Sequence, residues 1–126
     1  MSWDVNYNED AGFIEVKYFG NVTGSDVHDA AKERIAIQEK TDIVLILTDA
    51  SQTLNAPPVL DIYTITDKIY QENNVQRSTR MAFILPEKKE PRELAGFFKT
   101  TAKNRGWMIE LFEDRKTALS WLKRDE

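Results

Sequence analysis

The apolar run Ile43–Leu47 constrains the fold of this 126-residue chain more than any other stretch of its sequence. Every side chain in the run is apolar, and several are β-branched. A strand of this composition is covered on both faces, and such strands usually lie parallel to their neighbours near the centre of a sheet. The segment Thr79–Leu85 is also rich in apolar residues and ends at Pro86. We therefore predict two interior strands of the same sheet.

The first twenty residues have the pattern of an antiparallel hairpin. Trp3, Val5 and Tyr7 alternate with polar residues, which is the period of a strand with one covered face. Turn-forming residues occupy positions 8–12, and a second strand, Phe13–Phe19, follows them. We expect the first strand at an edge of the sheet. Because an edge strand with apolar and aromatic side chains invites pairing or cover, a homodimer is one hypothesis.

Apolar residues at spacings of three and four predict helices between and after the strands. One helix begins at Thr23 or Ser25, since either hydroxyl can accept a hydrogen bond from a free backbone N–H, and continues to about Lys40. A later helix begins at Pro91, and the last begins after Asp114. The side chains expected to face the core are Val27, Ala30, Ala31, Ile35, Gln38, Leu94, Phe97, Phe98, Ala102, Ala118, Leu119, Trp121 and Leu122.

Residues 57–72 fit two interpretations. The β-branched and aromatic residues of Val59–Thr66 favour a strand by propensity. Pro57 and Pro58 suit the start of a helix, and the stretch of about 16 residues is longer than a typical strand. Apolar residues also recur at helical spacing, at Val59, Ile62, Ile65 and Ile69. We predict a helix that crosses between the two interior strands.

The predicted order of elements is ββαβαβαβα. Alternation of this kind implies an α/β fold with a mixed, mainly parallel sheet of five strands and helices packed on it. The length of the chain suits a single domain over residues 1–126.

The composition excludes several kinds of site and protein. The chain has no cysteine, which rules out disulfides, thiolate nucleophiles and cysteine-bound metals. Its net charge of −4 argues against general nucleic-acid binding, which usually needs a strongly basic domain. The N-terminus lacks a signal-peptide pattern, and no apolar run approaches the roughly 20 residues of a membrane span. We therefore expect a cytoplasmic protein that is not transmembrane.

Three stretches of the sequence resemble the SpoIIAA-like (STAS) domain family. Phe13–Thr23 is similar to the family's strand, glycine and helix entry, and Ile43–Ser51 is similar to its central strand with a polar end. Phe112–Leu122 (FEDRKTALSWL) is similar to the closing helix of the SpoIIAA-like subgroup. The resemblance covers nearly the whole chain and implies a single SpoIIAA-like domain.

The resemblance also implies a function, that of a non-catalytic regulatory domain that binds a protein partner, as anti-sigma factor antagonists do. In those proteins a serine in the turn after the central strand is phosphorylated, where the phosphate meets a helix dipole and adds negative charge. Ala56, Pro57 and Pro58 stand where that serine would be expected, so the resemblance implies that this switch is absent. The grouping of the family with lipid-binding Sec14-type domains implies an alternative, a small apolar-ligand binding or carrier domain.

The most polar stretch of the chain follows the predicted central strand. Open α/β sheets bind ligands at the carboxyl ends of their strands, so we predict a partner-binding or ligand-binding loop here. The alternative is a solvated loop whose side chains cap their own backbone. The candidate residues are Asp49, Ser51, Thr53, Asn55 and Pro57.

A second candidate is a basic segment for an anionic partner, such as an acidic protein surface or lipid headgroups. The alternative is a solvated helix face. Its residues are Lys88, Lys89, Arg92, Lys99 and Lys103. Four aromatic residues either line a hydrophobic ligand cavity or belong to the core, namely Phe97, Phe98, Trp107 and Trp121.

The sequence contains no recognisable catalytic or metal-binding pattern. His28 is the only histidine, and its place beside Asp29 in an acidic helix favours a surface position. The glycines are scattered and form neither a dinucleotide-binding motif nor a Walker motif. We therefore expect no enzyme activity, no metal site and no cofactor.

Overall fold

A five-stranded sheet forms the centre of the fold. The computed structural model describes residues 2–64, 68–73, 75–76 and 78–124. The strands are β1 (Trp3–Asn8), β2 (Phe13–Asn21), β3 (Leu45–Asn55), β4 (Arg80–Ile84) and β5 (Met108–Phe112). The helices are α1 (Gly24–Thr41), α2 (Val59–Thr64), α3 (Tyr70–Glu72), α4 (Lys89–Asn104) and α5 (Arg115–Leu122).

The strands lie side by side in chain order, from β1 at one edge to β5 at the other. β1 is antiparallel to β2, and the pairs from β2 to β5 are parallel. The predicted hairpin and the mixed, mainly parallel sheet are confirmed. The two apolar runs form the interior strands β3 and β4, although β3 begins at Leu45, two residues after its predicted start.

The helices divide unequally between the two faces of the sheet. Parallel crossovers are right-handed, and each new strand is added at the same edge, so the connecting helices share one face. Side chains of α1, α3 and α4 pack there on Val16, Ile46 and Ile109. On the opposite face α5 packs on Leu47 and Ala82.

Side-chain caps mark the starts of two helices. Thr23 Oγ1 accepts a hydrogen bond from the Asp26 N–H (3.1 Å), and an Asp26 carboxylate oxygen accepts one from the Thr23 N–H (2.9 Å). This reciprocal capping box satisfies two otherwise free donors at the start of α1. Asp114 Oδ1 accepts from the Thr117 N–H (2.8 Å) at the start of α5. Thr23 is therefore the start of the first helix, and the predicted cap at Asp114 is confirmed.

The polar loop expected over Asp49–Asn55 is wrong, because β3 continues to Asn55. Pairing with β2 extends the strand, with Gly20 opposite Thr53 and Asn21 opposite Asn55. β4 pairs with only the first five residues of β3. The second half of β3 thus projects beyond β4, where polar side chains are tolerated. Its backbone partner on β2 is remote in sequence, so local propensity does not predict the pairing.

The span between β3 and β4 is helical where it is described. Pro57 and Pro58 precede α2, and the Pro58 carbonyl accepts a hydrogen bond from the Asp61 N–H (3.0 Å). α3 follows, and within the predicted apolar stripe the Ile69 side chain is buried. Residues 65–67 lie outside the described residues, as do the side chains of Val59 and Ile62. A helical crossover is found in the described parts.

Phe97 is exposed, so its predicted place in the core is wrong. The inner side of α4 is formed by Ala95, Phe98 and Ala102, which recur at spacings of three and four. Phe97 lies about 100° around the helix from Phe98, since a helix has about 3.6 residues per turn. This angle carries its side chain away from the sheet.

Candidate functional site

A cavity of about 100 Å³ lies on the face of the sheet that α1 and α4 cover. It sits at the carboxyl ends of β2, β3 and β4, and we call it the α1–α4 cavity. The residues that line it are Val16, Tyr18, Val22, Val27, Ala30, Ala31, Arg34, Thr48, Ala50, Thr53, Ala56, Pro57, Tyr70, Met81, Phe83, Pro86, Pro91, Leu94, Ala95 and Phe98.

Small side chains at facing positions produce the cavity. Ala30 on α1, Ala50 on β3 and Ala95 on α4 leave volume that larger residues would fill in an interior packed to the usual density. The rings of Phe83 and Phe98, whose centroids are 6.4 Å apart, contribute a wall. The result is a mostly apolar chamber between the sheet and two helices.

Arg34 brings a positive charge to the wall of this cavity. The residue is buried, with 3% of its surface exposed. Its Nη1 atom lies 3.7 Å from the sulfur of Met81, and its guanidinium carbon lies 4.9 Å from the centre of the Tyr70 ring. A thioether is only a weak acceptor, and arginine is rarely buried without an anionic partner. Among the residues that the structure describes, no carboxylate contacts Arg34.

Two tyrosines lie beside the guanidinium. The Tyr70 hydroxyl is 3.6 Å from the Met81 sulfur, and its ring meets Trp107 edge-on with 5.1 Å between centroids. Burial raises the pKa of the Tyr18 hydroxyl well above its ordinary value, and Tyr70 raises it further, while Arg34 acts in the opposite direction. Tyr18 therefore remains a neutral phenol that can donate a hydrogen bond.

Thr53 adds a buried hydroxyl without a protein partner in the described part of the chain. The residue is 6% exposed, and its Oγ1 atom makes no hydrogen bond to the described residues. A buried hydroxyl that forms no hydrogen bond is unfavourable by about 1–3 kcal/mol. A polar group held in the cavity would satisfy it.

The five residues of the predicted polar site do not meet at one place. Thr53 and Pro57 line the α1–α4 cavity. Asp49 lies on the α5 face with Leu47, and it accepts hydrogen bonds from the backbone and side chain of Ser51 (3.0 and 2.6 Å). Asn55 donates from its side-chain amide to the side chain of Asn21 at the end of the hairpin. Regular alternation would place Asp49 and Thr53 on one face, but the pairing of β3 with β2 shifts by one residue between Asp49 and Gln52. This bulge turns Thr53 to the face opposite Asp49.

The predicted basic patch is partly engaged in ion pairs within the chain. Lys99 and Lys103 contact Glu110 at 2.9 and 3.2 Å, and Arg92 forms a two-pronged pair with Glu113. The hydrogen bond from Lys99 is the largest cause that lowers the pKa of Glu110, and Lys103 adds to it. Lys88 and Lys89 are exposed beside these pairs at the start of α4. An anionic partner for this patch stays a prediction.

The four aromatic candidates have different surroundings. Phe98 lines the cavity, whereas Phe97 is exposed. Trp107 is buried in the core, and Trp121 packs on Phe112 on the α5 face, with 5.8 Å between ring centroids. One of the four therefore belongs to the cavity.

His28 is a surface residue, as predicted, with Nδ1 at 3.4 Å from Asp29 Oδ1. Within the described ranges, no three His, Asp or Glu side chains are grouped as metal ligands would be. No helix in the described part of the chain has both the length and the apolar composition needed to cross a membrane.

Sequence reasoning missed Arg34, the charged residue of the site. A signal was present, since Arg34 falls between Ala31 and Ile35 in the stripe that buries α1. A charged residue inside an apolar stripe indicates either a buried partner or a binding site. Tyr18 had a similar signal, because it follows Ile14 and Val16 on the inner face of β2.

The sheet, the helices that cover it and the α1–α4 cavity define an α/β domain with a cavity at the carboxyl ends of its parallel strands. Comparison with models of protein families finds no match, and comparison with curated proteins finds none either. The chain is similar to a solved structure of an uncharacterised protein of the DUF3478 family from Shewanella loihica PV-4, described as having a SpoIIAA-like fold. The similarity covers 95% of this chain and 91% of the other, with a TM-score of 0.56 and 16% identity. The fold is therefore SpoIIAA-like, as the sequence resemblance implies.

Proposed function

We propose that this protein binds a small ligand with an apolar body in the α1–α4 cavity, as a sensor or carrier domain. The observation that carries the proposal is the cavity itself, which lies at the carboxyl ends of three neighbouring parallel strands. Open α/β sheets bind ligands at this edge. A mostly apolar lining with a few polar groups is the usual composition of small-molecule sites.

The volume of the cavity limits the size of the ligand. An engineered apolar cavity of about 150 Å³ binds benzene. A cavity of about 100 Å³ therefore accepts an apolar group of about four carbon atoms. A ligand that fills the cavity gains dispersion contacts that the free protein lacks.

Xenon is a suitable apolar probe because it enters small dry cavities. We expect NMR spectra recorded under xenon pressure to show amide shifts concentrated at cavity residues. Ala95→Leu should remove most of these shifts, since the added side chain occupies the cavity. Ser120→Leu, on the exposed side of α5, is the matched control and should leave the shifts unchanged. Shifts scattered over the surface, or equal shifts in the Ala95→Leu variant, would contradict the proposal.

A second candidate function is regulation through a protein partner that docks around the end of β3 and the start of α2. The observation in its favour is the exposure of two leucines on either side of Pro57, with Leu54 at 54% and Leu60 at 74%. Exposed apolar side chains of this size are common at binding surfaces.

The docking candidate is tested with the double variant Leu54→Ser and Leu60→Ser. We expect it to lose a partner that the unchanged protein captures from a native extract, because the apolar contact is removed. Met108→Ser, which changes another exposed apolar residue at the far edge of the sheet, should retain the partner. Equal recovery with all three proteins would argue against docking at this surface.

A further inference from the structure

We infer that the α1–α4 cavity binds a carboxylate carried on a short apolar body, with Arg34 as its counter-ion. This inference rests on the proposed function and adds the chemical class of the ligand. It begins from a charge that is buried without an opposite charge among the described residues.

Among the described residues, the neighbours of Arg34 use only part of its hydrogen-bonding capacity. A guanidinium carries five N–H donors and accepts none. Nη1 faces the sulfur of Met81, and the Tyr70 ring lies against the guanidinium carbon. Within the described residues these are its polar and aromatic contacts, and neither partner carries a negative charge. A buried charge in this state is unfavourable unless an anion reaches it.

Among the acids of α1, Asp29, Glu33 and Glu39 are exposed, and the half-buried one, Asp26, is engaged in a helix cap. Asp26 on the first turn of α1 forms the capping box with Thr23. Arg34 is the only charged residue among those that line the cavity in the described part of the chain. The described part of the lining therefore supplies no counter-ion for Arg34, and a ligand that enters the cavity can supply one.

The other polar groups of the lining suit the same ligand. The Tyr18 hydroxyl stays protonated because of its burial and can donate to an anion. Thr53 Oγ1 is buried and makes no hydrogen bond to the described residues. The cavity lining therefore holds a guanidinium and two neutral hydroxyl donors, which are groups that bind carboxylate oxygens. The apolar side chains Val27, Phe83 and Phe98 then face the hydrocarbon part of the ligand.

A single cation favours a carboxylate over a phosphate. A phosphate group carries more than one negative charge near neutral pH and is usually held by several cationic or backbone donors. Among the described residues, the lining supplies one guanidinium and is mostly apolar. Its volume of about 100 Å³ suits a carboxylate of about four or five non-hydrogen atoms in all, such as propanoate, with the carboxylate at Arg34.

The test compares propanoate with its uncharged amide, propanamide, in NMR titrations of the full chain at constant ionic strength. We expect the carboxylate to bind the unchanged protein about tenfold more tightly than the amide, or better, since hydrogen bonds to charged groups are worth more than neutral ones. Arg34→Met keeps an unbranched side chain in place of the aliphatic part of the arginine and removes its charge. It should abolish this preference, while Arg34→Lys should retain part of it.

Arg115→Met is the matched control, because Arg115 forms a two-pronged pair with Glu15 on the opposite face of the sheet. It should leave the preference for the carboxylate unchanged. Equal affinity for the carboxylate and the amide in the unchanged protein would overturn the inference. This comparison uses only the unchanged protein, so it remains valid even if Arg34→Met does not fold. Tighter binding of inorganic phosphate than of the carboxylate would show that the ligand class is not a carboxylate.

The xenon experiment separates the two proposals. If xenon enters the cavity and the carboxylate shows no preference over its amide, the inference about Arg34 fails and the proposed function remains. If neither xenon nor the carboxylate perturbs the cavity residues, the proposed function fails as well.

Discussion

Two polar side chains stand within the buried stripe of α1, and their surroundings differ. Gln38 donates through Nε2 to the Ile43 carbonyl (3.1 Å) and to the Thr79 hydroxyl (3.2 Å), so it joins the end of α1 to the start of β4. Arg34, one turn earlier, faces a sulfur atom and an aromatic ring. Gln38 therefore has a structural role, whereas Arg34 has the surroundings of a ligand-binding residue.

The role of Gln38 can be tested by Gln38→Ala. We expect the free energy of unfolding to fall by about 1–3 kcal/mol, because the Ile43 carbonyl and the Thr79 hydroxyl lose a buried donor. Urea denaturation measures the change. Glu39→Ala, at the exposed neighbouring position, should change stability by less than about 0.5 kcal/mol. Equal stability of the two variants would contradict this role.

The period of β3 decides which polar residues reach the cavity. Thr48 and Ala50 face the cavity, while Leu47 and Asp49 face α5. A shift of the strand by one residue would exchange these two sets. The pairing with β2 makes this exchange within the strand, because it shifts by one residue between Asp49 and Gln52, and Thr53 therefore lines the cavity while Asp49 does not.

Glu110 joins β5 to α4, and its contribution to stability should depend on pH. Hydrogen bonds from Lys99 and then Lys103 lower its pKa below the ordinary value of 4.5. The Glu110 carboxylate is therefore protonated at a higher pH in the unfolded chain than in the folded protein. The contribution is complete above about pH 4.5 and decreases as the pH falls through the lower, folded-state pKa.

We expect Glu110→Gln to lower the free energy of unfolding by up to about 1 kcal/mol near neutral pH, with most of this difference lost near pH 3. The pair is partly exposed, so salt should weaken it. Urea denaturation at the two pH values measures the effect. Glu93→Gln, on an exposed position of α4, provides the control. A loss of stability that is equal at both pH values would show that the charge of Glu110 is not responsible.

The arrangement of the whole molecule follows from the direction in which strands are added. Because β2, β3, β4 and β5 follow one another across the sheet, their right-handed crossovers bring α1 and α4 to the same face. The cavity exists between these two helices and the sheet. α5 follows the last strand and covers the other face.

The hairpin strand β1 remains at an edge of the sheet, and a homodimer through it stays a prediction. Tyr7, on this strand, is 40% exposed. We expect light scattering after size-exclusion chromatography to give twice the chain mass of 14.6 kDa at micromolar concentration. Tyr7→Lys should shift the protein toward a single chain, because a charge on an edge strand opposes pairing. A single-chain mass for the unchanged protein would exclude this dimer.

Local patterns in the sequence were enough to predict the hairpin, the apolar strands β3 and β4, the capped helices and the SpoIIAA-like order. These depend on spacing, turn residues and caps, which act over a few neighbouring residues. The tertiary structure alone decided that β3 continues through Asp49–Asn55, since its partner on β2 is about thirty residues away. It also decided that Thr53 and Arg34 meet the same apolar cavity, because the packing of α1 and α4 on one face determines which side chains share a space.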